Sequence, residues 1–250
     1  REPLLPPPQA VLKNIQCQIV LFLILSYGSL TAQNTPNDYN NRVNYIFAKM
    51  DHSRVTTGLL SDYGLHVIPP DYYDGVLRDS NEVDISAWRS LYGGMYSSRF
   101  NSISNLPAQT DVFNAIAQNT PLIGQPIPIA VMCINYNRLR NDAFTSGMVS
   151  INSDQIYDVA GKNPYETKTL FAAAPLQTGF ENLAVQFVLK SSLYYTNAGK
   201  TITSIFVDPG DGNGFRNASW DVPFSVSYPV YGNKAFIVKF SFSDGTTLQT

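Results

Sequence analysis

The chain has few of the side chains that carry redox, metal and nucleophilic chemistry. Its 250 residues include two cysteines, Cys17 and Cys133, and two histidines, His52 and His66. Neither histidine has a second ligand at the spacing of a zinc site. No Cys-x-x-Cys pair, Gly-x-Ser-x-Gly elbow or phosphate-binding glycine loop occurs in the sequence. We therefore expect both histidines to be solvated or helix-capping residues.

Charged side chains are also scarce. They make up 14% of the sequence, with a formal net charge of -2, whereas an average soluble domain has about 25%. No basic face is evident, which argues against nucleic acid as a partner. The hydrophobic content of 44% is enough for a core, so the chain is not disordered overall.

The first 32 residues have the pattern of an export signal. Lys13 precedes an apolar block at Ile19–Leu25, and small residues follow as far as Ala32. This order predicts a secretory signal peptide over residues 1–32, cleaved after Ala32. The block is shorter than the roughly 20 residues that span a bilayer, so we expect no transmembrane anchor in the mature chain. The alternative is a buried strand or core helix.

Two consequences follow from this interpretation of the N-terminus. Residues 1–10 begin without Met, and we interpret them as a miscalled start. Removal of the leader leaves Cys133 as the single cysteine, so no internal disulfide can form. Cys133 lies in the apolar run 129–134, which predicts a small buried hydrophobe and not a reactive thiol.

Residues 37–120 are predicted to be helical. Apolar residues recur every three or four positions in stretches that begin near Asp38, Asp84 and Pro107. A further short helix is expected over residues 56–63. Short helices need tertiary burial to be stable, so we interpret their aromatic stripes as core and not as a ligand-binding face.

The pattern changes to β after residue 120. Residues 121–176 are expected to form a β-rich connecting region, and residues 177–250 an all-β unit with alternating strands and turns. The sequence therefore predicts an α+β chain whose C-terminal part is a β-sandwich. The Asp244-Gly245 turn leaves a short outgoing strand, so we expect more chain to follow Thr250 in the native protein.

Two stretches carry a family resemblance. The strand and Gly-Asp-Gly turn at Phe206–Gly212, followed by Phe224–Tyr228, Tyr231-Gly232 and Phe236–Phe240, resemble the PKD family of Ig-like domains. Pro209 stands where that family usually has an aromatic residue, and the tryptophan usual near the turn is absent. The resemblance implies an Ig-like sandwich that acts extracellularly as a spacer, adhesive unit or carbohydrate-associated module.

The second resemblance lies in the helical part. Residues 43–47, 57–64 and 88–92 are similar to N-terminal regions of large uncharacterised secreted proteins of the Bacteroidetes type. This resemblance implies export and a longer parent protein.

Two groups of residues are candidate binding sites. Aromatic anchors carry interface energy, so a recognition surface is one interpretation of Tyr195, Phe215, Trp220 and Tyr231, and core or turn packing is the other. Asp208, Asp211 and Asn213 offer oxygen ligands for calcium beside turn glycines. Their alternative is an Asp/Gly turn with side chains bonded to backbone, which needs no cofactor.

Acidic residues beside two tyrosines suggest a further alternative. Glycosidases need a pair of carboxylates, and five acids cluster before Trp88: Asp71, Asp74, Asp79, Glu82 and Asp84. In a sugar-hydrolysing site Asp74 and Glu82 would be the pair. The other interpretation is a solvated loop with charges that favour a helix N-terminus.

We expect a secreted or cell-surface, non-catalytic module that acts in binding, adhesion or domain spacing, with carbohydrate or a surface protein as partner. The alternative is an N-terminal accessory region of a secreted hydrolase whose catalytic domain lies beyond residue 250.

Overall fold

The computed structural model describes residues 38–250, so the predicted leader at residues 1–32 lies outside the described part. The fold is α+β and mainly β, which confirms the predicted class. The α-helices are α1 (Asp38–Phe47), α2 (Ile85–Ser97) and α3 (Gln109–Gln118). Short 3-10 turns lie at His52–Arg54, Ser61–Tyr63, Pro70–Tyr72 and Asp79–Asn81. None of the helices described is long and apolar enough to cross a membrane.

In the described part of the chain, ten strands follow the helices. They are β1 (Ile127–Leu139), β2 (Val149–Asn152), β3 (Gln155–Asp158), β4 (Tyr165–Pro175), β5 (Ala184–Thr196), β6 (Ile202–Asp208), β7 (Arg216–Ala218), β8 (Phe224–Ser227), β9 (Ile237–Phe242) and β10 (Thr247–Gln249).

The strands form two four-stranded sheets and a hairpin. The first sheet has the order β4-β1-β5-β8, the second has the order β10-β9-β6-β7, and β2 pairs with β3. Strand β1 runs antiparallel to β4 and parallel to β5. Strand pairing therefore crosses the predicted boundary between residues 176 and 177. The Asp244-Gly245 turn joins β9 to β10, as its sequence predicts.

Strand β1 is buried on both faces. Successive side chains of a strand point to opposite faces, so Met132 and Ile134 enter one hydrophobic core while Val131 and Cys133 enter another. The first, the helix-side core, lies between the first sheet and helices α2 and α3. The second, the sheet-side core, contains residues of both four-stranded sheets. Double burial explains the unbroken apolar run of β1.

The prediction for Cys133 as a small buried hydrophobe is confirmed. Its side chain has no exposed surface, and burial raises the pKa of its thiol to about 11. The thiol is therefore protonated at neutral pH and lacks the thiolate form that reacts with oxidants and electrophiles.

Helix α2 begins and packs as its sequence predicts. The Asp84 carboxylate caps the helix by accepting a hydrogen bond from the Ala87 backbone N–H at 2.7 Å. Trp88, Leu91 and Tyr92 are fully or almost fully buried in the helix-side core. The aromatic stripe of this helix is therefore core, because it lies against the first sheet.

The short helix predicted over residues 56–63 is wrong except for the 3-10 turn at its end. Leu60 N donates to Ser98 O at 2.9 Å, and Asn137 N donates to Leu59 O at 2.8 Å. These bonds hold the segment extended between β1 and the end of α2. Tertiary pairing has overridden the local helical pattern, and Leu59 and Leu60 are fully buried in consequence.

Trp88 is expected to be a major contributor to the helix-side core. Its ring stacks on Tyr92 with centroids 5.7 Å apart, and within the described residues its Nε1–H has no hydrogen-bond partner. We predict that Trp88→Ala lowers the free energy of unfolding by about 3–5 kcal/mol. Trp88→Phe should cost less, because it keeps a ring and gives up no hydrogen bond. Urea unfolding measures both, and equal losses would contradict this account.

Candidate functional site

An open groove of about 890 Å³ lies at one end of the first sheet. One wall is the loop 122–125 between α3 and β1, and the other is the loop 177–182 between β4 and β5. The floor is formed by β5 and the edge strand β8. Concave sites of this size are where small ligands bind most often.

The floor of the groove consists of small and polar side chains. Ala184 pairs with Ser227, and Gln186 pairs with Ser225, across antiparallel strands. These four side chains are exposed, while Val226 between the two serines is buried in the sheet-side core. Strand alternation alone therefore presents hydroxyl and amide groups to the groove. Gln186 Nε2 donates to Ser225 Oγ at 3.2 Å, so these two groups are already aligned.

One wall of the groove presents exposed aliphatic side chains, and the other is held in place by a packed phenyl ring. Leu122 is 78% exposed and Ile123 is fully exposed, which is unusual for adjacent aliphatic residues on a short loop. Phe180 holds the opposite loop in place by stacking on Tyr228, with ring centroids 5.8 Å apart. The groove therefore has one anchored wall and one wall that presents aliphatic surface to any bound molecule.

The groove is almost without charge. Glu181 is the one charged residue among the described residues that line it. The remaining lining residues are aliphatic, glycine, phenylalanine, amide or serine: Leu122, Ile123, Gly124, Gln125, Ile127, Gln177, Gly179, Phe180, Asn182, Ala184, Val185, Gln186, Ser225, Val226 and Ser227. Such a lining suits an uncharged ligand that both donates and accepts hydrogen bonds.

The four aromatic residues predicted as a recognition surface are not brought together. Tyr195 is buried in the helix-side core, 5.5 Å from Tyr92 between ring centroids. Trp220 is partly buried against the sheet-side core, 5.1 Å from Tyr194. Phe215 and Tyr231 are exposed. Tyr195 and Trp220 lie in different cores, because Tyr195 and Tyr194, against which Trp220 packs, point to opposite faces of β5.

The acidic turn between β6 and β7 is held together by its own side chains. Asp208 Oδ1 accepts from Gly210 N at 2.9 Å, and Asp211 Oδ1 accepts from Asn213 N at 3.1 Å. Arg216 forms an ion pair with Asp211. Burial raises the pKa of Asp211, but hydrogen bonds from Arg216 and Asn213 outweigh it, so the pKa lies below its ordinary value.

The turn has the geometry of an Asp/Gly turn with side chains bonded to backbone. Over the described range, no cluster of three His, Cys, Asp or Glu side chains that suits a metal ion is found. Calcium binding by Asp208, Asp211 and Asn213 stays a prediction.

The same turn depends on a glycine at one position. Gly210 has φ +71° and lies so close to Ala235 O that an added Cβ would overlap this carbonyl. The Tyr228 hydroxyl donates to Pro209 O at 2.8 Å and holds the turn against the core. Gly212 also has positive φ, +87°, but a Cβ there would meet no atom within 4 Å.

We predict that Gly210→Ala lowers the free energy of unfolding by about 3 kcal/mol or more, because it combines backbone strain with a clash against backbone. Gly212→Ala is the matched control and should cost about 1–2 kcal/mol, from the positive φ alone. Urea unfolding of both variants measures the difference. A Gly212 variant as unstable as the Gly210 variant would show that the clash is absent.

Of the five acids proposed for glycoside hydrolysis, Asp71, Asp74 and Asp84 each bond to different residues. Asp74 forms an ion pair with Arg78 at 2.7 Å, and hydrogen bonds from Arg78 lower the pKa of Asp74. Asp84 caps helix α2, as the alternative interpretation predicts. Asp71 accepts from the buried Tyr136 hydroxyl and pairs with Arg138. Asp79 and Glu82 are exposed.

His66 was expected to be solvated or capping, but it is half-buried beneath the end of α2. Its Nε2 lies 3.0 Å from Ser61 O, 3.1 Å from Ser98 Oγ and 3.3 Å from Ser61 Oγ. A carbonyl oxygen can only accept, so Nε2 carries the proton and donates. The ring therefore serves as a packed hydrogen-bond donor and is not a base toward these hydroxyls. A Cβ on Gly94 would lie 2.6 Å from Nδ1, so glycine makes room for the ring.

Burial lowers the pKa of His66 below its ordinary value of about 6.5. As pH falls below about 6.5 the unfolded chain takes up a proton that the folded chain resists, so stability should fall until the lower folded pKa is passed. We predict that His66→Gln reduces this loss of stability between about pH 7 and about pH 5. Thermal unfolding across that interval tests it, and parallel curves for both proteins would contradict it.

No family model, curated protein or solved structure matches this chain. The geometry of the groove and of the two sheets is therefore the basis for a functional assignment.

Proposed function

We propose that this chain is a non-catalytic, extracellular or cell-surface binding module, and that the groove beside β5 and β8 binds uncharged carbohydrate. The observation that carries the proposal is the lining of the groove. Its floor presents Gln186, Ser225 and Ser227, and one wall presents Leu122 and Ile123. Among the described residues that line it, Glu181 is the single charged one.

Neutral carbohydrate fits these groups better than an anionic ligand does. Sugar hydroxyls donate and accept together, which matches amide and serine groups that do the same. The C–H surfaces of a pyranose ring can pack on the aliphatic loop residues. An anionic ligand would meet Glu181 and no lysine or arginine in the lining.

A second part of the proposal concerns the architecture. We propose that the two four-stranded sheets form an Ig-like β-sandwich related to PKD domains. Support comes from the sheet-side core, which takes residues from both sheets, and from the Tyr228 bond to the turn after β6. Because β1 and β4 belong to the first sheet, this sandwich begins at β1 and not at residue 177.

The extracellular part of the proposal rests on the sequence. Support comes from the order of Lys13, the apolar block at Ile19–Leu25 and the small residues up to Ala32. The low charge and the resemblance to secreted proteins agree with it.

The groove assignment is tested with an array of neutral oligosaccharides, followed by calorimetric titration of the best ligand. We predict that Gln186→Ala and Ile123→Ala each weaken binding by about tenfold, because each removes a contact worth roughly 1–2 kcal/mol. Ser150→Ala, on the exposed face of β2, is the control and should bind as the unmodified chain does.

Two outcomes would reject the assignment. One is the absence of binding to any neutral oligosaccharide by the folded full chain. The other is a ligand whose affinity is unchanged in both groove variants, which would place its site elsewhere on the molecule.

A further inference from the structure

The second four-stranded sheet turns one face away from the sheet-side core. In β6 and β9, Val207 and Val238 point into that core, so their neighbours Phe206 and Lys239 point outward. Cross-strand pairing aligns Lys239 with Phe206 on one side and with Gln249 on the other, and Phe206 also pairs with Asn217. These four residues form a row across the outer face, which we call the Lys239 row.

Two phenyl rings flank the ammonium group in this row. Lys239 Nζ lies 5.6 Å from the ring centroid of Phe206 and 5.5 Å from that of Phe215. Both distances lie within the range of cation–π attraction. Phe215 precedes β7 and is 45% exposed. The face therefore combines one positive charge with accessible aromatic surface.

Among the described residues, no carboxylate lies within ion-pairing distance of Lys239. Of the ion pairs found over residues 38–250, with N–O distances up to 4.0 Å, none includes Lys239. Asp208 follows on the same face of β6, but its Oδ1 accepts from Gly210 N within the turn. A negatively charged group brought to this face would find an available ammonium partner.

Hydroxyl groups lie in the neighbouring row of the same face. Ser241 pairs with Ser204 of β6 and with Thr247 of β10. The inward neighbours of these residues, Ile205, Phe240 and Phe242, are in the sheet-side core. The outer face thus presents three hydroxyls beside the Lys239 row, with no charged side chain between the two rows.

We propose that this outer face is a second binding site, for a polysaccharide that contains uronic acid. Its carboxylate pairs with the Lys239 ammonium, and a C–H face of a pyranose ring packs on the exposed ring of Phe215. Hydroxyls of the adjoining sugar unit reach Asn217 and the serine and threonine row. Beside its two phenyl rings, the ammonium has the neutral polar residues Gln249 and Asn217 in its row, and this set of groups matches a saccharide that carries both a carboxylate and hydroxyls.

This inference goes beyond the proposed function and does not depend on it. The groove belongs to the first sheet, has no lysine or arginine in its lining, and suits neutral sugars. The outer face belongs to the second sheet and requires a carboxylate. Failure at one site leaves the other intact, and the variants below separate the two.

The test is calorimetric titration of the folded full chain with tetragalacturonate and with its fully methyl-esterified form. The unmodified chain should bind the acid at least about tenfold more tightly than the ester. Lys239→Met and Phe215→Ala should each weaken acid binding by about tenfold or more, while Lys239→Arg should retain it. Affinity should also fall as salt rises from roughly 0.02 to 0.5 M.

Matched controls keep the test specific. Lys168→Met removes a lysine from β4 of the other sheet and should leave acid binding unchanged, as should the groove variant Gln186→Ala. Circular dichroism and thermal unfolding must show that each variant is folded. If Lys239→Met is unstable, retained acid binding by Lys239→Arg still supports the proposal, because arginine keeps the charge at the same position.

Three results would overturn the proposal. The first is no binding of tetragalacturonate by the unmodified chain. The second is equal affinity for the acid and its ester. The third is tighter binding of a poly-glutamate peptide than of the saccharide, which would assign the face to acidic peptides.

Discussion

The burial of strand β1 on both faces is the constraint on which the rest of the structure depends. One face of β1 packs under helices α2 and α3, and the other packs in the core shared with the second sheet. The backbone N–H and C=O groups of a strand buried in this way need hydrogen-bond partners along both edges. Strand β1 has them, because it pairs with β4 on one edge and with β5 on the other. Removing this strand would leave the helices and the second sheet without the surface that joins them.

Because the interior faces are used for packing, the two proposed binding surfaces lie on faces that the hydrophobic cores do not cover. The groove lies at one end of the first sheet, where β5 and β8 turn Gln186 and Ser225 to solvent. The outer face of the second sheet is opposite the shared core, where Lys239 and Phe206 are aligned by strand register. Both surfaces include polar side chains from the outward positions of alternating strands: Gln186 and Ser225 in the groove, and Asn217 and Lys239 on the outer face.

Several features could be predicted from local sequence alone. The capping of α2 by Asp84, its stripe around Trp88, the burial of Cys133 and the hairpin at Asp244-Gly245 are each indicated by residues a few positions away in the sequence. Prediction failed where distant segments decide the outcome. Leu59 and Leu60 are extended because they bond to Asn137 and Ser98, and His66 is half-buried against Gly94 and Ser98 at the end of α2. The groove joins three segments that are far apart in the sequence, so no single motif marks it.

The sequence by itself determined the fold class, the change from helices to strands near residue 121 and which residues are apolar enough to be buried, because periodicity and turn residues act over short distances. Tertiary structure alone decided which face each aromatic residue takes. The neighbouring residues Tyr194 and Tyr195 are the same amino acid, yet they pack in different cores. Strand register and sheet order decide which core each face of β5 meets. The same register sets Lys239 beside Phe206, a pairing that depends on contacts between strands about thirty residues apart.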